Sequence, residues 1–399
     1  MNAITQISPA TNSQDVTLPR EAVLTTATDP RSMLTFVSKD FADLSGFDVD
    51  HLIGSPHKVV RHPDTPRGIF HLLWDSLKSG QAVYLYVKNQ TAAGDAYWSL
   101  ATHTITDNGF MSARIRPSSS LFEKVKDIYS EMLNTEAGGA SPEESAAWFI
   151  SQIQSMGYTD LLHLGSDALN SEFKARGDCD PQFETSFRIM DEILQLVEEM
   201  RELAEGIEGG FKRVRGEPVN LRILAGRLEG AGAALGTISQ NYDAMAQEMY
   251  ELLGRLHAQN SGALHDMFFA VSHARANEQC GRLLDQSIAR EEQFLNDGEQ
   301  CVALRRQQDH LNAVTTQCIR EISHTGKPIP DICRSLRRRI NGLDVVKLLC
   351  KVESGRMRDV DSGLDGIIDR LQAFHDGTDK GLAELSSKAS QIQQKINAF

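Results

Sequence analysis

The sequence predicts an α+β domain at the front of the chain, an antiparallel sheet with helices on one face, followed by a long all-α coiled-coil or helical-bundle region. Proline placement carries part of this. Seven of twelve prolines lie at or before Pro117, none lies between Pro218 and Pro328, and none follows Pro330. Proline breaks helix interiors, so the clean stretches can hold long helices and the front cannot. Composition carries the rest: aromatic and β-branched residues with frequent turns crowd the stretch 20–117, whereas alanine, leucine, glutamate and glutamine dominate afterwards.

The front elements follow in order. Met33–Val37 reads as a short strand, leading through Phe41 and Leu44 to a turn at Gly46, and Asp50–Gly54 is a further short helical turn. Thr65–Lys78 reads as a full helix, with Pro66 in its first turn and Ile69, Leu72, Leu73 and Leu77 on its apolar side. Ala82–Lys88, Ala96–Thr104 and Phe110–Ile115 are strands, the last two joined by Asp107-Asn108-Gly109. A sheet with helices on one face leaves room between the layers for a planar ligand.

Behind Pro117 the pattern becomes helical. Residues 134–143 read as a linker or cap, and Ser141 with Pro142 and Glu144 opens the next helix, which ends near Gly157. The Gly177–Pro181 stretch is a break. A helix over 184–208 is expected to stop at Gly209-Gly210, with a hairpin-like interruption at 212–217. Tyr242, Met245, Met249, Leu252 and Leu256 alternate spacings of three and four, a knobs-into-holes seam, and Leu385 and Ile392 mark the last helix. Such helices must pack with each other or across a dimer. Leu224–Glu229 is faintly echoed at Leu348–Glu353, either as a duplicated unit or by chance. The segments expected are a flexible 1–20, a sensor domain 21–118, connecting helices 119–217, a signalling and dimerisation region 218–327 and a C-terminal helical region 328–399.

Composition removes several classes. A formal charge of −13 argues against nucleic acid or an anionic membrane as the main partner. No run of roughly 18 apolar residues is present, so no membrane span is expected. The first twenty residues lack the basic start and apolar core of a secretion signal. Cys179, Cys280, Cys301, Cys318, Cys333 and Cys350 show no CxxC spacing and fit reduced thiols in the cytoplasm. His257, His265 and His273 recur every eight residues, about 12 Å apart on a helix, too far to share a metal. No phosphate loop, HExxH or G-x-S-x-G motif occurs, so no enzyme is expected.

The densest chemistry is the loop Gly54-Ser55-Pro56-His57-Lys58-Val59-Val60-Arg61-His62-Pro63-Asp64-Thr65-Pro66. An arginine fork and a histidine just ahead of a helix can meet a phosphate or an electron-rich ring edge. Asp64 can instead cap that helix and hold Arg61, which would make the loop structural.

From Leu24 to about Ile115 the chain resembles the PAS domain of the bacterial aerotaxis receptor family. The likeness lies in the order of Thr26…Asp29, Phe41…Ser45-Gly46-Phe47, Leu52–His57, Val60-Arg61-His62-Pro63-Asp64, Trp74…Leu77-Lys78-Ser79-Gly80, Val87-Lys88-Asn89 and Gly94-Asp95-Ala96-Tyr97-Trp98. The resemblance implies a PAS fold that binds FAD non-covalently, with Arg61, His62 and Asp64 required for holding the flavin. It places Asn89 at the polar edge of the isoalloxazine and Trp74 beside the cofactor, Trp74 otherwise being a core aromatic. Trp98 reads as core, and the pair Tyr84 and Tyr86 or the pair Val83 and Leu85 faces the ligand. The chain departs from the family at Ser38, at Val83 and in the turn Gln90–Gly94. Haem is the rival cofactor, with His57, His62, His71 and His103 available.

Residues 220–246 resemble, more faintly, the cytoplasmic tip of chemotaxis receptors, with Arg227 and Gly232 in place but without its paired alanines, glutamates and Phe-Ala-Val-Val-Ala run. The resemblances together imply a cytoplasmic, homodimeric redox or oxygen sensor that signals to a chemotaxis histidine kinase and its coupling protein or to another signalling partner. A haem or small-ligand sensor and a cofactor-free scaffold are the alternatives.

Overall fold

The computed structural model describes residues 15–177, 181–227, 232–258, 261–294, 298–356 and 364–397. They form two compact units: the first takes residues 1–184 and 272–316, the second 185–271 and 317–399. The units therefore draw on separated stretches, whereas the sequence divides the chain in order.

The first unit is built on five strands, β1 (Leu24–Thr28), β2 (Leu34–Val37), β3 (Val83–Gln90), β4 (Ala96–Thr106) and β5 (Gly109–Ile115), in the order β2-β1-β5-β4-β3. All pairings are antiparallel. The β3-β4-β5 meander is as expected. Strand β1 was not legible as a strand, although Leu24, Thr25 and Thr26 are buried and the two threonines are β-branched. At the β4–β5 turn a Cβ on Gly109, whose φ is 142°, would stand 2.0 Å from the Thr28 carbonyl, so only glycine lets β5 run beside β1.

Between β2 and β3 lie α1 (Lys39–Ser45), α2 (Val49–Leu52), a 3₁₀ turn (His57–Val60) and α3 (Arg67–Lys78). Ser38, one of the departures from the family pattern, caps α1 by accepting from the Phe41 N–H and also accepts from the Thr25 N–H. Pro66 occupies the N-cap of α3 rather than its first turn. The cap for which Asp64 was one candidate comes from Glu136, whose carboxylate accepts from the N–H groups of Arg67 and Gly68, each at 2.9 Å.

Helices α4 (Ser120–Ala137), α5 (Pro142–Ser155) and α6 (Leu161–Arg176) follow, and Ser141 and Glu144 form the expected capping box at the start of α5. The sheet face away from α1–α3 is covered too. There Trp98 meets Phe122 and Tyr129 of α4, and Gly165 of α6 lies against Tyr84. Residues 272–316 add Ala276, Cys280, Leu283, Leu304 and Leu311 to the same core. Gln307 hydrogen-bonds Thr104 and the Ile105 carbonyl. The N-terminal stretch expected to be flexible is packed from residue 15 onward: Leu18 is buried, and the Val16 N–H donates to Ala96.

The remaining helices are α7 (Pro181–Val214), α8 (Glu217–Arg227), α9 (Gly232–Leu256), α10 (Ala263–Phe294), α11 (Gly298–Gly326), α12 (Ile329–Arg356) and α13 (Leu364–Asn397). Helix α7 runs through Gly209-Gly210, where a stop was expected. Ile207, Phe211 and Val214 remain buried in the second unit's core, and that packing outweighs the weak helix propensity of two glycines. The interruption shrinks to a turn at Arg215-Gly216. Tyr242, Met249 and Leu256 of the α9 seam are buried in that core with Met245 and Leu252 packed beside them, and Leu385 and Ile392 of α13 join them. His257 lies beyond the end of α9, so the three evenly spaced histidines do not share a helix. The internal echo and the likeness at 220–246 both include residues outside those described.

A Cβ at Gly165 would meet the Tyr84 Cβ and carbonyl oxygen at 2.9 Å. Gly165→Ala is therefore expected to destabilise the first unit by about 1–3 kcal/mol, read from urea denaturation.

Candidate functional site

Strand pleating sorts β3. Val87 and Asn89 point into a cavity of about 440 Å³, and by alternation Val83 and Leu85 share that face. Tyr84 and Tyr86 turn to the other. The cavity lies between the sheet, helix α3, the β1–β2 loop and the loop before α3, and its volume suits a drug-sized ligand. Leu73, Trp74 and Leu77 of α3 with Val87 and Phe110 of the sheet supply apolar walls. Asn89, His103, Ser112 and Arg114 supply buried polar groups, and no Asp or Glu lines the cavity among the described residues.

Of the five residues singled out by the sequence, three line the cavity: Arg61, Trp74 and Asn89. Arg61 and Asn89 are joined by an isolated antiparallel bridge, which seats the arginine loop on the end of β3. The Arg61 guanidinium carbon sits 3.6 Å from the centre of the Phe70 ring. Arg61 thus stacks on α3 instead of pairing with Asp64. The Asn89 side chain is buried, and its Nδ2 has no hydrogen-bond partner. Trp74 packs edge-on against Phe110 at 5.7 Å while lining the cavity.

His62 and Asp64 stand outside the cavity lining and hold the loop in place. The His62 N–H donates to the Lys88 carbonyl at 3.2 Å, and its Nδ1 accepts from the Asp64 N–H at 3.1 Å. Asp64 pairs with the Lys88 ammonium at 2.9 Å. Thr65, which the sequence did not flag, accepts from the Lys88 N–H and donates to the Lys88 carbonyl. The loop is therefore laced to β3 beside Asn89. Two of the family departures, Ser38 and Val83, also fall outside the lining.

Sequence reasoning missed the basic group at the cavity's inner wall. Arg114 on β5 is buried; its Nη1 donates to Thr26 Oγ1 at 2.9 Å and its Nη2 lies 2.7 Å from His57 Nε2. Its Nε has no partner, and burial lowers its pKa to about 10. The buried alternation of β5 with an arginine at an inward position was the available signal. Burial, then the Arg114 charge, holds His57 well below its ordinary value. The same causes bring His103 down to about 3, and its Nε2 is unpartnered. Of the other histidines considered as ligands, His71 sits outside, 3.6 Å from Glu143.

Behind the cavity, Tyr86 connects β3 to the chain that leaves the sheet. Its hydroxyl donates to the buried Glu172 carboxylate at 2.8 Å. That carboxylate also accepts from the Ser118 N–H at 2.6 Å and from the Ser119 N–H and hydroxyl. Ser119 is the N-cap of α4.

Residues 34–112 match the PAS fold family. The aerotaxis receptor of Escherichia coli (strain K12) is 32% identical over 129 residues, covering 31% of this chain and 26% of the receptor. A bacteriophytochrome of Xanthomonas campestris pv. campestris (strain 8004) is 39% identical over 61 residues, covering 15% of this chain and 10% of its own. The chain thus spans about a quarter of the first relative's length and a tenth of the second's. Among solved structures, a fungal LOV domain photoreceptor is 17% identical with a TM-score of 0.21, covering 24% of this chain and 74% of its own. The front of this chain has a PAS fold and is related in sequence to the aerotaxis receptor. No described helix is long and apolar enough to cross a membrane.

The neutral state of His103 makes the fold sensitive to acid. An unfolded chain binds a proton at His103 below about 6.5, and the folded one refuses it until about 3. Stability is complete above the higher value and falls on acidification, by about 1.4 kcal/mol per pH unit. The melting temperature should drop steadily between about pH 6.5 and 5, and His103→Asn should flatten that slope. An unchanged slope in the variant would show that His103 is charged in the fold.

Proposed function

We propose that residues 21–118 bind FAD in this cavity and that the protein is a redox or oxygen sensor rather than an enzyme. The observation that carries the reading is the buried Asn89 amide, which lines the cavity beside the bridged Arg61 and whose Nδ2 lacks a partner. A buried amide without a partner costs free energy unless a ligand supplies one. Bound FAD would supply reversible electron transfer. Asn89 would orient the polar edge of the ring, Trp74 and Leu73 would cover a face and exclude water, and Arg61 would hold the ligand near the entrance. His62 and Asp64 would act through the loop they brace.

In this reading the helical remainder passes the flavin state to a signalling partner in the cytoplasm, with the chemotaxis histidine kinase and its coupling protein as the first candidates. Purified protein should show the visible absorption of oxidised flavin and bleach with dithionite. Asn89→Ala should weaken FAD binding roughly ten-fold. A chain that stays colourless in excess FAD, with an unmoved melting temperature, would sink the proposal.

A second reading is favoured by His103: a buried, neutral imidazole with a free Nε2 in the cavity wall is what haem iron coordinates. A Soret band that is lost in His103→Ala would replace FAD with haem.

Self-association is supported by α12. Val345, Leu348, Leu349 and Val352 follow i, i+3, i+4 and i+7, and stand 41–60% exposed opposite the buried Leu343, Val346 and Cys350. That spacing is the period of a two-stranded seam. A homodimer joined there should become a monomer in Leu348→Glu, measured by sedimentation, whereas an unchanged mass would place any dimer contact elsewhere.

A further inference from the structure

We propose that Arg31 and Lys58 are the residues that select a diphosphate-bearing flavin over the bare nucleoside, an inference that rests on the FAD reading above. Both line the cavity, and both are exposed at its rim, outside Arg61. Neither the Arg31 guanidinium nor the Lys58 ammonium makes a hydrogen bond or ion pair among the described residues. The neighbouring acid, Asp29, directs its Oδ1 to the N–H groups of Arg31 and Met33, at 2.8 and 2.9 Å.

The loops that carry the two cations are held together by backbone contacts. Met33 and Pro56 form an antiparallel bridge, the Leu34 N–H donates to Ser55 and the His57 N–H donates to Ser32, the last two at 2.9 Å. Ser32 itself adopts a left-handed φ of 64°, a conformation a non-glycine residue takes only where its surroundings hold it. The loop carrying Arg31 and the loop carrying Lys58 are thus stitched together on one side of the mouth. Ordering them around a ligand costs little.

The cavity therefore combines three chemistries. The Asn89 amide, the His103 imidazole and the Arg114 guanidinium are buried, Leu73, Trp74 and Phe110 supply apolar walls, and the exposed Arg31 and Lys58 make no ion pair among the described residues. The matching ligand is a planar heterocycle carrying an anionic tail that reaches the entrance. FAD has such a tail in its diphosphate, and riboflavin has none.

The test titrates the purified full chain with FAD and, separately, with riboflavin, following quenching of flavin fluorescence. In the R31A/K58A double variant the affinity for FAD should fall roughly ten-fold while that for riboflavin holds, as expected for two exposed charge contacts. Added salt should weaken FAD binding by the native chain more than by the variant. R31Q/K58Q, which keeps much of the side-chain length, should give the same ratio and so excludes a loss through disturbed loops. An unchanged FAD affinity, or an equal loss for both ligands, overturns the inference and leaves the flavin reading standing. A native chain that binds neither flavin ends both.

Discussion

The Glu172 carboxylate is fully buried, and its charge is met by hydrogen-bond donors from three places: the Tyr86 hydroxyl on β3, the Ser118 and Ser119 N–H groups after the sheet, and the Ser119 hydroxyl that caps α4. A buried carboxylate holds such donors tightly, because leaving any of them or itself unpaired costs more than a surface bond would. The strand, the exit from the sheet and α6 are consequently fixed to one another at a single point. Tyr129 adds a second tie by donating to the Tyr86 carbonyl at 2.9 Å.

Because pleating alternates, the same strand faces two ways. Val87 and Asn89 look into the cavity, and Tyr86, on the opposite face, donates to Glu172 of α6. A shift of β3 caused by a ligand at Asn89 would be felt at the start of α4 without any long chain of contacts. The cavity and the helix that leads away from it are two faces of one strand, and this gives a sensor reading a physical route within the first unit.

The lining is polarised as well as shaped. Arg114 lies deep between Thr26 and His57, His103 stays neutral beside it, and Arg61 is stacked on Phe70 nearer the loops. Charge of one sign without a buried acid would be costly as a permanent arrangement. A ligand with electron-rich edges and an anionic tail would offset that cost. The loop residues His62, Asp64 and Thr65 contribute by tying Arg61 to β3 through Lys88, a role one step removed from contact.

Much of this was legible from the chain alone. Alternating aromatic and β-branched stretches determined the β3-β4-β5 meander, and Ser141-Pro142 with Glu144 determined the start of α5, since both depend on neighbours in sequence. Spacing by three and four marked the α9 residues that pack into the core, and the seven-residue spacing of Leu385 and Ile392 marked those of α13. The motif order also pointed to Arg61, Trp74 and Asn89. Tertiary structure alone decided the rest. Strand β1 reads as a strand only once β5 lies beside it, α7 passes Gly209-Gly210 because its flanks are buried, and Glu136 caps α3 from 69 residues away. Arg114, Glu172 and the second covering of the sheet by 272–316 bring together groups far apart in the chain. Local pattern cannot encode such pairings, because the energy that rewards them exists only after the distant partner has arrived.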